Sequence, residues 1–126
     1  MKSAALALAL IGTAVPIAAH HSFDGSFDRT RQVKLSGTVA EYRFANPHSY
    51  LKLAVVTGKG AREQWHVETT SAGSLGTHGW DAHSIRAGEG LTVEGWPARN
   101  GGRYMRLRSM HRPDGRAVGL WLPPGP

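Results

Sequence analysis

Two adjacent histidines, His20 and His21, stand where a proteolytic cut would turn one of them into an amino terminus. They follow an apolar run that ends in Ala18-Ala19, and small residues of this kind precede the cut of a secretory signal. A cut after Ala19 gives His20 a free α-amine beside its own ring nitrogen Nδ1, and these two donors can chelate one metal ion. A further imidazole would complete a T-shaped or square-planar site, which suits Cu(II). The sequence therefore predicts copper as the cofactor, if there is one.

Three residues of the folded part are candidates for completing this site. His48 is the leading third ligand, because Pro47 fixes the backbone just before it and a rigid backbone helps to aim a side chain. Glu68 and His66 are candidates for tuning or completing the site. His21 belongs to the same candidate set, although its own backbone amide lies between its ring and the chelate plane of His20.

The predicted hairpin that contains these residues has a defined register. A turn centred on residue 59 sets Lys52 opposite His66 and Tyr50 opposite Glu68. His48 then lies diagonal to Glu68, and diagonal neighbours in a sheet are within reach of long side chains. A contact between His48 and Glu68 is therefore feasible, whereas a contact between His48 and His66, which are two residue pairs apart, needs a twist of the sheet or another contributor.

A second candidate surface is basic. Arg106 and Arg108 share one face of a predicted strand, with Tyr104 beside them at period two. Such a face could dock an envelope partner or an anionic polymer. Export argues against nucleic acid as the physiological ligand of these residues.

The first 19 residues have the layout of a secretory signal, with a charged Met1-Lys2, an apolar middle and small residues at the end. The apolar stretch is shorter than the roughly 20 residues that span a bilayer. A cut after Ala14 and an uncleaved anchor are the alternatives to a cut after Ala19. We expect a periplasmic protein, organised as a signal peptide at 1–19, an arm at 20–32, a domain at 33–122 and a tail at 123–126.

Composition narrows the function classes. The chain has 126 residues, a formal net charge of +6 and no cysteine. Thiol catalysis, iron–sulfur clusters, cysteine-ligated zinc and disulfides are therefore excluded. No nucleophile elbow and no phosphate-binding loop is present, so the sequence predicts a protein that is not an enzyme.

Alternating apolar and polar residues predict a mainly β domain. The predicted strands cover residues 33–40, 50–55, 65–67, 91–96, 104–110 and 118–121. A bulge or bend is expected at Gly37, and a short helix or turn is expected around residues 80–85, between the third and fourth strands. This order predicts a small OB-like barrel of five to six strands, with an open β-sandwich as the alternative.

The chain also resembles a known family through several short motifs. They are "AHHSF" at 19–23, "GTV" at 37–39, "ANPHSYL" at 45–51, "GW" at 79–80, "LTVEGW" at 91–96 and "PDGR" at 113–116. With these motifs the chain resembles small exported bacterial proteins known as domain of unknown function 6152. The resemblance implies an exported, mostly β protein and brings no activity with it.

Two functions remain open at this point. One is an exported, non-catalytic module that binds copper through the amino-terminal histidine. The other is an envelope module that docks a protein or an anionic polymer through its basic face. Ionic strength separates the two, because polyanion binding weakens steeply with salt whereas metal chelation barely responds. A small hydrolase is a weaker third reading.

Overall fold

The computed structural model describes residues 23–118. Five strands and two short helices follow one another along this part of the chain. In order they are α1 (Phe23–Ser26), β1 (Val33–Arg43), β2 (Tyr50–Val56), β3 (Arg62–Glu68), α2 (Ala72–Gly76), β4 (Gly90–Pro97) and β5 (Tyr104–His111). The predicted signal peptide, with His20 and His21, lies outside the described residues, and so do residues 119–121 of the predicted sixth strand.

The strands form a closed barrel in the order β1-β2-β3-β5-β4. All neighbouring strands are antiparallel except β3 and β5, which are parallel. The barrel closes because the long β1 pairs with β4 through its first half and with β2 through its second half. The predicted OB-like barrel is thus confirmed with five strands, and closure excludes the open sandwich.

The apolar side of each strand faces the inside of the barrel. Leu51, Leu53, Val67, Val93 and Met105 are the centre of this core, and each is less than 2% exposed. The segment between β3 and β4 adds further apolar side chains to the same core cluster. Alternation at period two therefore places the strand residues as the sequence predicts.

The segment between β3 and β4 differs in detail from the expectation. Its helix is α2, which begins after Ser71, whose hydroxyl accepts a hydrogen bond from the backbone N–H of Ser74 at 3.1 Å. Residues 81–84 form a turn, which is one of the two alternatives expected there, with the N–H of Ser84 donating to the carbonyl of Asp81. A serine cap outweighs the glycines that weaken α2 as a helix.

Gly37 lies where β1 changes partners, opposite Val55 of β2 and Leu91 of β4. The register shift of β1 falls between Val39 and Glu41, so the bulge is not at Gly37. What Gly37 provides is close approach, because a Cβ built there overlaps the backbone carbonyl oxygen of Ala54.

The substitution Gly37→Ala is therefore expected to lower the free energy of unfolding by about 1–3 kcal/mol, the usual range for overpacking. Urea denaturation followed by tryptophan fluorescence measures the change. Gly58→Ala is the matched control, because a Cβ at Gly58 meets nothing within 4 Å. If the two variants had the same free energy of unfolding, β1 and β2 would be able to move apart at Gly37 without loss of stability.

Candidate functional site

A groove lies between the arm and the barrel wall, with a volume of about 490 Å³. Aromatic rings and three ionisable side chains dominate its lining. They are Phe23, Phe27, His48, Glu68, Tyr104 and Arg106. The groove therefore brings together the leading metal-ligand candidate, His48, and the first described residue of the arm, Phe23.

Three side chains of the groove are linked by polar contacts. Nδ1 of His48 lies 2.6 Å from Oε1 of Glu68, and Nη1 of Arg106 donates a hydrogen bond of 2.9 Å to the same oxygen. The exposed fraction of the side chain is 49% for His48, 12% for Glu68 and 7% for Arg106. The contact between His48 and Glu68 that the predicted register makes feasible is therefore present, and a buried guanidinium lies behind it.

The sheet itself sets this arrangement. Glu68 is the partner of Tyr50 across the β2–β3 hairpin and of Arg106 across the parallel β3–β5 pair. Burial lowers the pKa of Arg106 from its ordinary value, and the nearby Glu68 carboxylate opposes that shift. The arginine stays paired because a buried charge without a partner is strongly unfavourable.

Hydrogen bonds fix the backbone on both sides of His48. The hydroxyl of Ser49, which is fully buried, accepts from the N–H of Ala45 at 3.0 Å and donates to its carbonyl at 3.1 Å. The N–H of Ser49 donates to the carbonyl of Thr70, and the hydroxyl of Thr69 donates to the carbonyl of Ser49. The loop that carries His48 is thus tied to the end of β3, where Glu68 lies.

Aromatic contacts hold the arm against the barrel. The ring of Phe27 stacks on Tyr104 with centroids 5.3 Å apart, and Phe23 contacts both Phe27 and Trp96. The N–H of Asp28 donates to the carbonyl of Pro97 at 2.9 Å. These contacts place the start of the described chain at the rim of the groove.

His66 lies elsewhere. Its ring stacks on Tyr50 with centroids 4.5 Å apart and is tilted against Tyr104 with centroids 4.8 Å apart. It pairs with Lys52, as the predicted register requires, and burial lowers its pKa. His66 is not among the residues that line the groove. Within residues 23–118 there is no group of three or more histidines and carboxylates placed to hold a metal ion.

The basic face predicted at Tyr104, Arg106 and Arg108 is not present as one exposed surface. Arg108 is exposed and approaches Gln32, but Arg106 is buried against Glu68, and the ring of Tyr104 is engaged by Phe27. An extra residue in β5 shifts its register against β4, and the arm packs over one end of the strand. The two arginines therefore do not form one exposed surface.

Comparison with known proteins identifies the family. The model of the family of unknown function DUF6152 matches residues 7–106. The chain belongs to this family. The match spans every candidate metal residue of this DUF6152 protein, which are His20, His21, His48, His66 and Glu68.

No curated protein matches this DUF6152 chain. Among solved structures, it is similar to the mitochondrial single-stranded DNA binding protein Rim1 from S. cerevisiae, with 13% sequence identity and a TM-score of 0.42. The similarity covers 71% of this chain and 82% of the yeast chain. Within the described part of the DUF6152 chain, no helix is long and apolar enough to cross a membrane.

Proposed function

We propose that this DUF6152 protein is an exported, non-catalytic binding module that holds one Cu(II) ion in the periplasm. His20 supplies its α-amine and Nδ1, and His48 supplies the third nitrogen. The observation that carries the proposal is the shared groove of His48 and Phe23, because Phe23 follows His20 by three residues.

The length of the chain makes this coordination feasible. Three residues span at most about 10 Å when fully extended. A chain cut after Ala19 therefore begins within about that distance of the groove rim, where Phe23 lies. This short span supports the proposal that a histidine at the new terminus reaches His48.

The donors available at the groove favour Cu(II) over Cu(I). Soft sulfur ligands select Cu(I), whereas imidazole and amine nitrogens suit Cu(II). The chain has no cysteine, and both methionines of the described part, Met105 and Met110, are buried in the core. Nitrogen and oxygen donors alone therefore remain near His48.

Charge at the groove also favours the metal over an anionic polymer. The guanidinium of Arg106 is paired with Glu68 and only 7% exposed, so it contributes little to long-range attraction. Of Arg106 and Arg108, the two arginines predicted to form the basic face, only Arg108 is exposed. A single exposed arginine of this pair is a weak basis for polyanion binding.

Removal of the His48 ring tests the proposal. In the protein that starts at His20, His48→Ala is expected to weaken Cu(II) binding by about tenfold or more. Loss of a residue that hydrogen-bonds to a metal ligand costs about 10–100-fold in metal affinity, and loss of the ligand itself should cost at least as much. Competition titration with a chelator of known affinity measures the effect.

His83→Ala is the matched control, since His83 is exposed and lies outside the groove. Its Cu(II) affinity should equal that of the parent, and a rise in salt should leave both values nearly unchanged. Unchanged affinity in His48→Ala would remove His48 from the site. A steep loss of binding with salt would favour the docking of an anionic polymer instead.

A further inference from the structure

Burial increases from His48 through Glu68 to Arg106. Arg106 at the floor is almost completely buried, Glu68 is nearly so, and the ring of His48 is half exposed at the surface. One carboxylate oxygen, Oε1 of Glu68, contacts both neighbours. Motion of His48 away from this oxygen would leave the carboxylate with a single partner.

A carboxylate at 2.6 Å from Nδ1 has a defined effect on a neutral imidazole. It favours the tautomer that carries its proton on Nδ1, which leaves the lone pair on Nε2. The structure gives Nε2 of His48 no partner among residues 23–118. Metal-bound histidines commonly present their other ring nitrogen to a carboxylate in this manner.

We infer that Glu68 and Arg106 are positioning residues, which hold His48 as its Nδ1–H tautomer and reserve Nε2 for the metal. Arg106 holds the Glu68 carboxylate in place through its hydrogen bond to Oε1, and Glu68 fixes the proton and the ring plane of His48. Neither residue is itself a metal ligand. This inference rests on the proposed function only for its effect on copper, because the tautomer is a property of the metal-free protein.

The tautomer therefore provides the first measurement. Long-range proton–nitrogen NMR spectra of the metal-free protein at mildly alkaline pH report which ring nitrogen of His48 carries the proton. We expect Nδ1–H in the parent and a shift of population toward Nε2–H in Glu68→Gln. A parent ring protonated on Nε2, or a ring unaffected by Glu68→Gln, overturns the inference.

Copper affinity provides the second measurement. Glu68→Gln should weaken Cu(II) binding by about 10–100-fold, the range for loss of an outer partner of a ligating histidine. Glu63→Gln is the matched control on the same strand, because Glu63 contacts Trp65 and Arg103 and not His48. If Glu68→Gln and Glu63→Gln lost the same amount of Cu(II) affinity, the loss would come from general destabilisation of the protein, and the inference would be overturned.

A second variant tests whether the effects of Glu68→Gln on the tautomer and on copper affinity come from misfolding. Glu68→Gln leaves Arg106 without its anionic partner, so the double variant Glu68→Gln/Arg106→Met removes the stranded charge. It should show the same tautomer shift as Glu68→Gln. If the parent has the Nδ1–H tautomer but binds no Cu(II), the proposed function fails while the positioning role stands.

Discussion

A four-residue extension, Gly-Ser-Gly-Ser, placed directly before His20 is expected to weaken Cu(II) binding by more than about 100-fold, or about 2.7 kcal/mol. The extension moves the free amine away from the ring of His20 and keeps every histidine of the chain. Because amine and Nδ1 belong to one residue, binding of the first donor holds the second at high effective concentration. The extended protein loses this advantage and retains separate imidazoles only.

The comparison requires a parent protein with a defined start. A fusion cleaved directly before His20 provides it, and intact mass with and without Cu(II) reports both the start and the metal stoichiometry. The same four residues appended after Pro126 are the matched control, because they change length and composition equally without touching the amine. Equal affinity of the two extended proteins would contradict a role of the α-amine.

Processing in the cell gives an independent check. The protein recovered from the periplasm should begin at His20, as expected from a cut after Ala19. A start elsewhere, or retention of the apolar leader, would leave no α-amine on His20. In that case the proposed chelate could not form, whatever the purified fragment binds.

The register of the β2–β3 hairpin could be predicted from the sequence because it depends on local features. Alternation identifies the inward face of each strand, and the turn around Lys59 fixes which residues stand opposite one another. The observed pairs Tyr50 with Glu68 and Lys52 with His66 are those expected. The approach of His48 to Glu68 followed from the same register.

Arg106 could not be placed in the same way, because its environment is not local. Its partner Glu68 is 38 residues earlier in the chain and meets it only through the parallel β3–β5 pair. Alternation along β5 assigns Arg106 to the outer face, but the structure buries its side chain against Glu68. The sequence contains both charges but no local signal that pairs them.

The bulge of β1 and the helix between β3 and β4 show a second limit of prediction from the sequence. Gly37 suggested a bulge, yet its role is to let β1 pass close to Ala54 while pairing with two strands. The helix formed where Ser71 could cap it, ahead of the segment expected to form a short helix or turn. A tertiary contact decided the role of Gly37, whereas a local serine cap decided where α2 begins.

The second large effect concerns the arm. Phe27→Ala is expected to lower the free energy of unfolding by about 3–5 kcal/mol, as for other buried phenylalanines. Phe27 is 4% exposed, stacks on Tyr104 and forms an isolated bridge with Ala98. Small domains have only about 5–15 kcal/mol of stability in total, so this loss is a large fraction of the whole.

Urea denaturation monitored by circular dichroism measures this change. Val56→Ala is the matched control, because Val56 is 66% exposed and its truncation should alter the stability by no more than about 0.5 kcal/mol. If Phe27→Ala were as stable as Val56→Ala, the arm would contribute nothing to the fold.

The same variant separates the position of the arm from the chemistry of its terminus. Phe27→Ala keeps the α-amine and all histidines, but it weakens the attachment that brings the start of the chain to His48. Copper affinity should therefore fall together with stability, whereas the Gly-Ser-Gly-Ser extension should lower affinity and leave stability unchanged. If copper affinity stays at the parent value while Phe27→Ala loses stability, the terminal histidine binds without His48, and the groove is not the site.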